Sequence, residues 1–350
     1  MKWIELAKVE LPAKAIMIRV LPYQSSALVA YQTTGKNYRV SWVVARWDFQ
    51  SSSLAKWRSQ PSFAWEFECK GYPSFFAQEG ELLIVQELAN SLTKSWSPAL
   101  SAINVETGAL AWREEAPIHC AAVERGRIYT IEKQRKGPYR LVTRSIETGR
   151  VLRRGLAYDA YDKINVSHDR LFGLAGQQLS VTMLDGEPVF EAEGSFSLYA
   201  VAAEGSLYAT HIDEQQQNVI YRWEPRSEDL WSLPIKSQTV SHLLPLPASG
   251  QLLYSLQSKA HHLMFVCYDW NTDQERWSTE LNLGHYSVQL SQCSEGFLLS
   301  ANSQKNILLD AFTGAERIVP LSHNGPMFAS KDAILLVKGQ QLLAFAWRSS

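Results

Sequence analysis

The chain has 350 residues, 46% hydrophobic and 20% charged, which is enough apolar material for a large core and too much for wholesale disorder. Lysine plus arginine (34) nearly cancels aspartate plus glutamate (35), so the basic surplus of a nucleic-acid or anionic-membrane binder is missing. Glu5, Lys8 and Glu10 fall where an export signal needs an unbroken apolar stretch, and no apolar run reaches membrane-spanning length; the expectation is a cytoplasmic protein that binds neither nucleic acid nor membrane.

In chain order the first predicted element is the strand KWIELA at 2–7, which carries Trp3 and has no partner before it. Eight apolar runs follow: SALVAYQ, ELLIVQE, RIYTIEK, RLFGLA, SLYATHI, QLLYSLQ, GFLLSA and AILLVK, beginning near positions 26, 81, 127, 170, 206, 251, 296 and 333. Their spacing of 36 to 55 residues suits about four short strands with turns, and their valine, isoleucine and aromatic content is strand chemistry.

Downstream of these runs a hairpin recurs: a strand, a tight turn, and a short strand ending in an aromatic residue. WVVARWDFQSSSLAKWRSQPSFAW has an expanded turn, with Trp65 rather than Trp57 as its docking residue. ALSAINVETGALAW at 99–112 ends at Trp112, RLVTRSIETGRVLRR at 140–154 repeats Glu-Thr-Gly, and SVTMLDGEPVF at 180–190 has Asp185-Gly186 with Phe190 four residues on. VIYRWEPRSEDLW ends at Trp231 and MFVCYDWNTDQERW at Trp277, both with looser turns, and NILLDAFTGAERI at 306–318 has Thr313-Gly314 followed by Ile318. In the third unit PIHCAAVER, RIYTIEK, YRLVTRSI and RVLRR form four strands, A to D from the middle outward.

Four-stranded antiparallel units cannot each bury both faces alone. The expected fold is therefore all-β, an eight-bladed β-propeller of four-stranded antiparallel blades in one domain over 1–350. The last unit runs out at Ser350 after its third strand, so the N-terminal strand is expected to complete it as outer strand D and tie down both ends.

Ala102-x-Asn104-x-x-Thr107-Gly108-x-x-x-Trp112, repeated around eight units, resembles the tryptophan-docking motif of quinoprotein-type (PQQ-like repeat) propellers. The resemblance implies that Trp3, Trp65, Trp112, Trp231 and Trp277 pack between neighbouring blades. That family includes quinone-dependent dehydrogenases, the lipoprotein scaffold of outer-membrane assembly and many non-enzymatic adaptors, so it implies a fold more firmly than an activity. Its dehydrogenases carry adjacent cysteines over the cofactor, a calcium site and an aspartate base. Here Cys69, Cys120, Cys267 and Cys293 are far apart and read as buried thiols, and the expectation is the non-enzymatic branch with no cofactor.

No GxGxxG opens a helix after a strand, and neither GxxxxGK[ST] nor GxSxG occurs. Histidine placement is the remaining signal. His119, His242, His285 and His323 fall at the starts of inner strands, His211, His261 and His262 belong to the same face, and His168 maps opposite. Such a set permits a metal-assisted lyase or hydrolase, since imidazole ligates metals and titrates near neutrality. Positions at a blade's inner edge are equally places where polar groups meet backbone and channel water. The loops of this face, 89–98 with Trp96, 133–139, 213–218 and 257–262, are where recognition concentrates on a rigid scaffold. The aromatic tract with Trp47, Trp57, Phe63 and Trp65 reads as local core of the first blade. The expected function is a non-catalytic binding or scaffold protein whose partner is another protein. Its candidate contacts are His119, His242, His262, His285, His323 and Trp96, with no catalytic or metal-binding residue assigned. An inhibitor or immunity-type partner of one protein is a further reading.

Overall fold

A computed structural model describes the chain except residues 1, 13–14, 24–25, 35–39, 49–61, 89–97, 135–136, 159–160, 162, 177, 214, 216, 236–237, 247–249, 260–261, 283–287, 294–295, 302–304, 319–326, 330–333 and 349–350. The described residues form strands and no helix. They are β1 (Lys2–Glu10); β2 (Ile16–Tyr23), β3 (Ser26–Thr34), β4 (Val40–Asp48) and β5 (Trp65–Cys69); β6 (Tyr72–Glu79), β7 (Leu82–Leu88), β8 (Ala99–Asn104) and β9 (Leu110–Glu115). Next come β10 (Ile118–Glu124), β11 (Arg127–Lys133), β12 (Tyr139–Ser145) and β13 (Val151–Tyr158); β14 (Lys163–Ser167), β15 (Arg170–Ala175), β16 (Gln178–Met183) and β17 (Pro188–Ala192). β18 (Ser195–Val201), β19 (Leu207–Ile212), β20 (Asn218–Trp223) and β21 (Leu230–Ile235) precede β22 (Thr239–Pro245), β23 (Gln251–Lys259), β24 (His262–Asp269) and β25 (Gln274–Asn282). The chain ends with β26 (Val288–Cys293), β27 (Gly296–Ala301), β28 (Lys305–Asp310), β29 (Glu316–Ile318), β30 (Met327–Ala329), β31 (Ile334–Lys338) and β32 (Gln341–Arg348).

Seven consecutive groups of four, from β2–β5 to β26–β29, each make a four-stranded antiparallel sheet, and the eighth sheet has the order β1-β32-β31-β30. These are the blades of an eight-bladed β-propeller, numbered here from β2–β5 as blade 1. The N-terminal strand completes the last blade as expected, with Trp3 opposite Trp347, Glu5 opposite Phe345 and Glu10 opposite Gln341.

Two compact units are present, one of Met1–Glu115 with Tyr286–Ser350 and one of Ala116–His285. In the first, Val9 and Leu11 pack with Tyr31, Trp47, Leu335 and Ala344, so the N-terminal strand shares a core with blades 1 and 8. Trp47 is fully buried and Phe63 stacks on Tyr31 with centroids 5.7 Å apart, which puts both in local core. In the second, Phe172, Val181, Phe196, Tyr199, Leu207 and Trp223 join blades 4 and 5. Cys69 and Cys267 are buried, whereas Cys120 is half-buried, its Sγ 3.5 Å from the carbonyl of Tyr161; the expectation of a buried thiol fails there because the residue sits at an inner-strand start.

The C-to-D turns repeat as chemistry rather than as letters. Asn104 Oδ1 accepts hydrogen bonds from the Glu106 and Thr107 N–H groups and the Thr107 hydroxyl, while Gly108 N–H donates to the Asn104 carbonyl at 2.8 Å. Asp310 does the same for Phe312, Thr313 and Gly314. Glu224 and Glu228 keep the backbone half of this pattern, Glu228 N–H donating to the Glu224 carbonyl at 2.9 Å. In the turns of blades 2, 3, 5, 6 and 7 the fourth residue after the turn's first lies in the left-handed region whether or not it is glycine: φ is 72° at Gly108, 59° at Glu228 and 53° at Asp273.

Glu87 and Glu132 are carboxylates buried inside blades. Glu87 accepts from the Lys70 and Gly71 N–H groups, the Ser101 hydroxyl and Arg113 Nε, pinning the crossing from blade 1 to blade 2. In blade 3 Glu132 accepts from Thr130 and from Arg144 Nε and Nη2 at 3.1 and 2.7 Å. Each charge is covered by enough donors to be tolerated without water.

Candidate functional site

The register defines the docking position in each blade as the strand-D residue facing the strand-C residue two before the turn. Those residues are Trp65, Trp112, Arg153, Phe190, Trp231, Trp277 and Arg317. Blade 7 thus offers Arg317 rather than Ile318, because its hairpin lacks the bulge that shifts blade 2 by one residue.

Trp65 shows what docking means. Its Nε1–H donates to the Val105 carbonyl at 2.7 Å in the turn of the next blade, and its ring lies so close to Gly108 that a Cβ there would stand 2.6 Å from Cγ. The acceptor, the carbonyl after the turn's first residue, recurs with other donors. Arg153 Nη1 reaches the Leu184 carbonyl at 3.4 Å from blade 3, and Arg170 Nη2, on strand B of blade 4, reaches the Pro225 carbonyl at 3.3 Å. Two arginines therefore do for blades 4 and 5 what an indole N–H does for blade 2.

Where the following turn has a side chain in the left-handed position, the indole is displaced. Blade 6 carries Asp273 there, and Trp231 of blade 5 is 40% exposed with the Arg222 guanidinium of its own blade 5.3 Å from its ring. Blade 5 carries Glu228 there, and blade 4 presents Phe190, which stacks on Trp223 at 6.0 Å. Trp112 is half-buried and Trp277 buried; for Trp3 only the strand pairing is described.

Beside Phe190 a cleft of about 230 Å³ opens between blades 4 and 5. Leu179, Phe190, Phe196, Ala209, Tyr221 and Trp223 supply its apolar wall, with Leu230 and the exposed Glu191 and Glu193 where it meets the surface. His211 lines it too, tilted against Phe196 at 4.8 Å and Tyr221 at 5.7 Å, and its Nδ1 is buried without a hydrogen-bond partner. Gly194 makes room for that imidazole, since a Cβ there would fall 2.1 Å from Nε2.

His168 Nδ1 lies 2.8 Å from the Ser167 hydroxyl and its backbone N–H donates to Glu124 of blade 3, while the remaining described histidines find partners within their own blades. His119 is exposed at the start of β10 with its ring 5.5 Å from Tyr139. His242 Nδ1 lies 2.7 Å from the Ser255 hydroxyl, and His262 Nδ1 lies 3.4 Å from Glu280. His285, His323, His261 and Trp96 lie outside the described residues. Among the described residues no group of three or more histidine, cysteine, aspartate or glutamate side chains could hold a metal ion.

No protein-family model matches the sequence, and no curated protein matches it. Solved structures match its shape. BamB from Moraxella catarrhalis aligns with a TM-score of 0.63 at 11% identity, over 99% of this chain and 100% of that one. A computationally designed protein, Ika8, aligns with a TM-score of 0.69 at 11% identity, over 98% and 99%. The chain has a β-propeller fold. Quinohemoprotein alcohol dehydrogenase from Comamonas testosteroni carries it as well, with a TM-score of 0.61 at 8% identity over 99% of this propeller and 77% of the enzyme. At such identities the likeness is one of fold.

Proposed function

We propose that this propeller is a non-catalytic binding protein of the quinoprotein-like fold, acting in the cytoplasm as a scaffold for another protein. The observation that supports the reading is the separate engagement of three of the four described histidines of the loop-bearing face: His119 with Tyr139, His242 with Ser255, His262 with Glu280. Acid–base or metal chemistry needs groups that converge on one reacting atom, whereas recognition uses dispersed aromatic and polar contacts held by a rigid scaffold. The spacing of the cysteines supports the same branch, since no two are adjacent as the quinone-dependent dehydrogenases require.

The test is cross-linking of a captured partner. Cross-links are expected through exposed Lys133, which ends β11 on this face, and replacing His119 and Tyr139 together with alanine should weaken capture at least ten-fold. Stoichiometric zinc, manganese or iron that is lost on His242→Ala would instead establish the lyase or hydrolase reading.

A further inference from the structure

We infer that the cleft between blades 4 and 5 seats a single aromatic side chain from a basic segment of the partner protein; this rests on the binding reading above. The size of the site comes first. At about 230 Å³ it exceeds the ~150 Å³ in which an apolar engineered cavity accepts a benzene ring. The walls come next. Phe196, Tyr221 and Trp223 offer aromatic contacts to an inserted ring, while the Arg170 guanidinium lies 5.8 Å from the Trp223 ring and is engaged with the Pro225 carbonyl.

The origin of the space explains why it is not filled from within. A tryptophan at the docking position of blade 4 would meet the Glu228 side of the blade 5 turn, where blade 2 offers Gly108; the smaller Phe190 stands there instead.

Charge selects the occupant. From Asp185 to Ser195 the sequence DGEPVFEAEGS holds four acids and no lysine or arginine. Glu191 and Glu193, both exposed at the cleft, form no ion pair among the described residues. An acidic rim around an apolar seat complements a lysine- or arginine-flanked aromatic anchor and repels an acidic one.

The test uses the full chain with methyl-labelled alanine and leucine, titrated with capped Lys-Trp-Lys, Glu-Trp-Glu and Lys-Ala-Lys. Saturable shifts are expected at the Ala192, Ala209 and Leu230 methyls with Lys-Trp-Lys, at least ten-fold weaker binding with Glu-Trp-Glu, and none with Lys-Ala-Lys. Filling the seat with Ala192→Trp should abolish binding while the thermal transition is retained. The surface reversal Glu191→Lys with Glu193→Lys, which leaves the core untouched, should invert the peptide order. No shift at those methyls, equal binding of Lys-Ala-Lys, or an unchanged order in the reversal variant would overturn the inference. A partner captured equally well by the Ala192→Trp chain would overturn the cleft as its seat and leave the scaffold reading standing. Lys-Trp-Lys seated in the cleft of a chain that holds no protein partner would overturn the scaffold reading and leave the chemical preference of the cleft intact.

Discussion

A hydrogen at position 108 is what lets an indole lie against the turn of blade 2. Gly108 has φ 72°, and its missing Cβ would stand 2.6 Å from Trp65 Cγ, so two independent penalties meet at one atom. The left-handed conformation costs an ordinary residue about 1–2 kcal/mol, and pushing Trp65 off the Val105 carbonyl forfeits a hydrogen bond of about 1 kcal/mol. Gly108→Ala is expected to lower stability by about 2–3 kcal/mol, read as a lower urea midpoint at unchanged slope. Glu228, exposed at φ 59°, presents the converse case. Glu228→Gly relieves the same strain and loses part of the gain to the freer unfolded chain, so a net stabilisation of about 0.5–1 kcal/mol is expected in the same measurement. The turn glycine was legible in the sequence as punctuation. Its coupling to the docking residue one repeat earlier was not, because that coupling runs between residues about 40 apart and is visible only once the blades touch. For the same reason Arg153 and Arg170 carried no signature: an arginine in a strand announces nothing until the carbonyl it reaches is placed beside it.

At the scale of the hairpin, the turn's first residue accepts hydrogen bonds from the residues that follow it, and the chain uses an amide at Asn104, a carboxylate at Asp310 or a hydroxyl at Ser145 for it. In blade 7 burial opposes ionisation of Asp310, but hydrogen bonds from the Thr313 and Phe312 N–H groups and the Thr313 hydroxyl, together with Arg317, outweigh it and hold the carboxyl below the usual aspartate range. A depressed folded-state value means a contribution that is complete above the ordinary carboxylate range and is lost as the pH falls through the folded value. Asn104 shows that an amide Oδ1 can make the same three turn contacts without a charge. Asp310→Asn should therefore reduce stability near neutral pH, through the lost pairing with Arg317, and shrink the difference between urea midpoints at about pH 7 and about pH 3. An unchanged difference would show that the turn does not contribute to acid sensitivity. Hairpins of this kind were the most legible elements. The starts of the apolar B strands were placed by their runs to within a residue, because a strand buried on both faces reads as continuous apolar sequence. Ile318 was misplaced by one because a bulge adds a residue without altering the letters of the motif.

At the scale of the whole molecule, the consequential strand is the one farthest in sequence from its partner. β1 pairs with β32 from Lys2 opposite Arg348 to Glu10 opposite Gln341, and Val9 within it and Leu11 just after it are buried against blades 1 and 8. The ring closure was legible because the last unit is one strand short and the first strand has no neighbour before it. The cleft was not, since a space left between two sheets has no residues of its own to read. Removing residues 1–11 strips an outer strand from blade 8 and two buried apolar side chains, worth about 4 kcal/mol from burial alone at about 2 kcal/mol each. It also exposes the edge of β32, whose backbone groups then exchange with solvent. Because β1, blade 1 and blade 8 all belong to the unit formed by Met1–Glu115 and Tyr286–Ser350, hydrogen exchange in the truncated chain should accelerate first in peptides from that unit, while Ala116–His285 stays protected. Adding the excised segment as a free peptide should reverse the effect, raising the melting temperature with peptide concentration as mass action requires. Uniform acceleration across both units would mean that the strand closes one cooperative body rather than sealing its own unit. No acceleration would mean that blade 8 is stable with three strands.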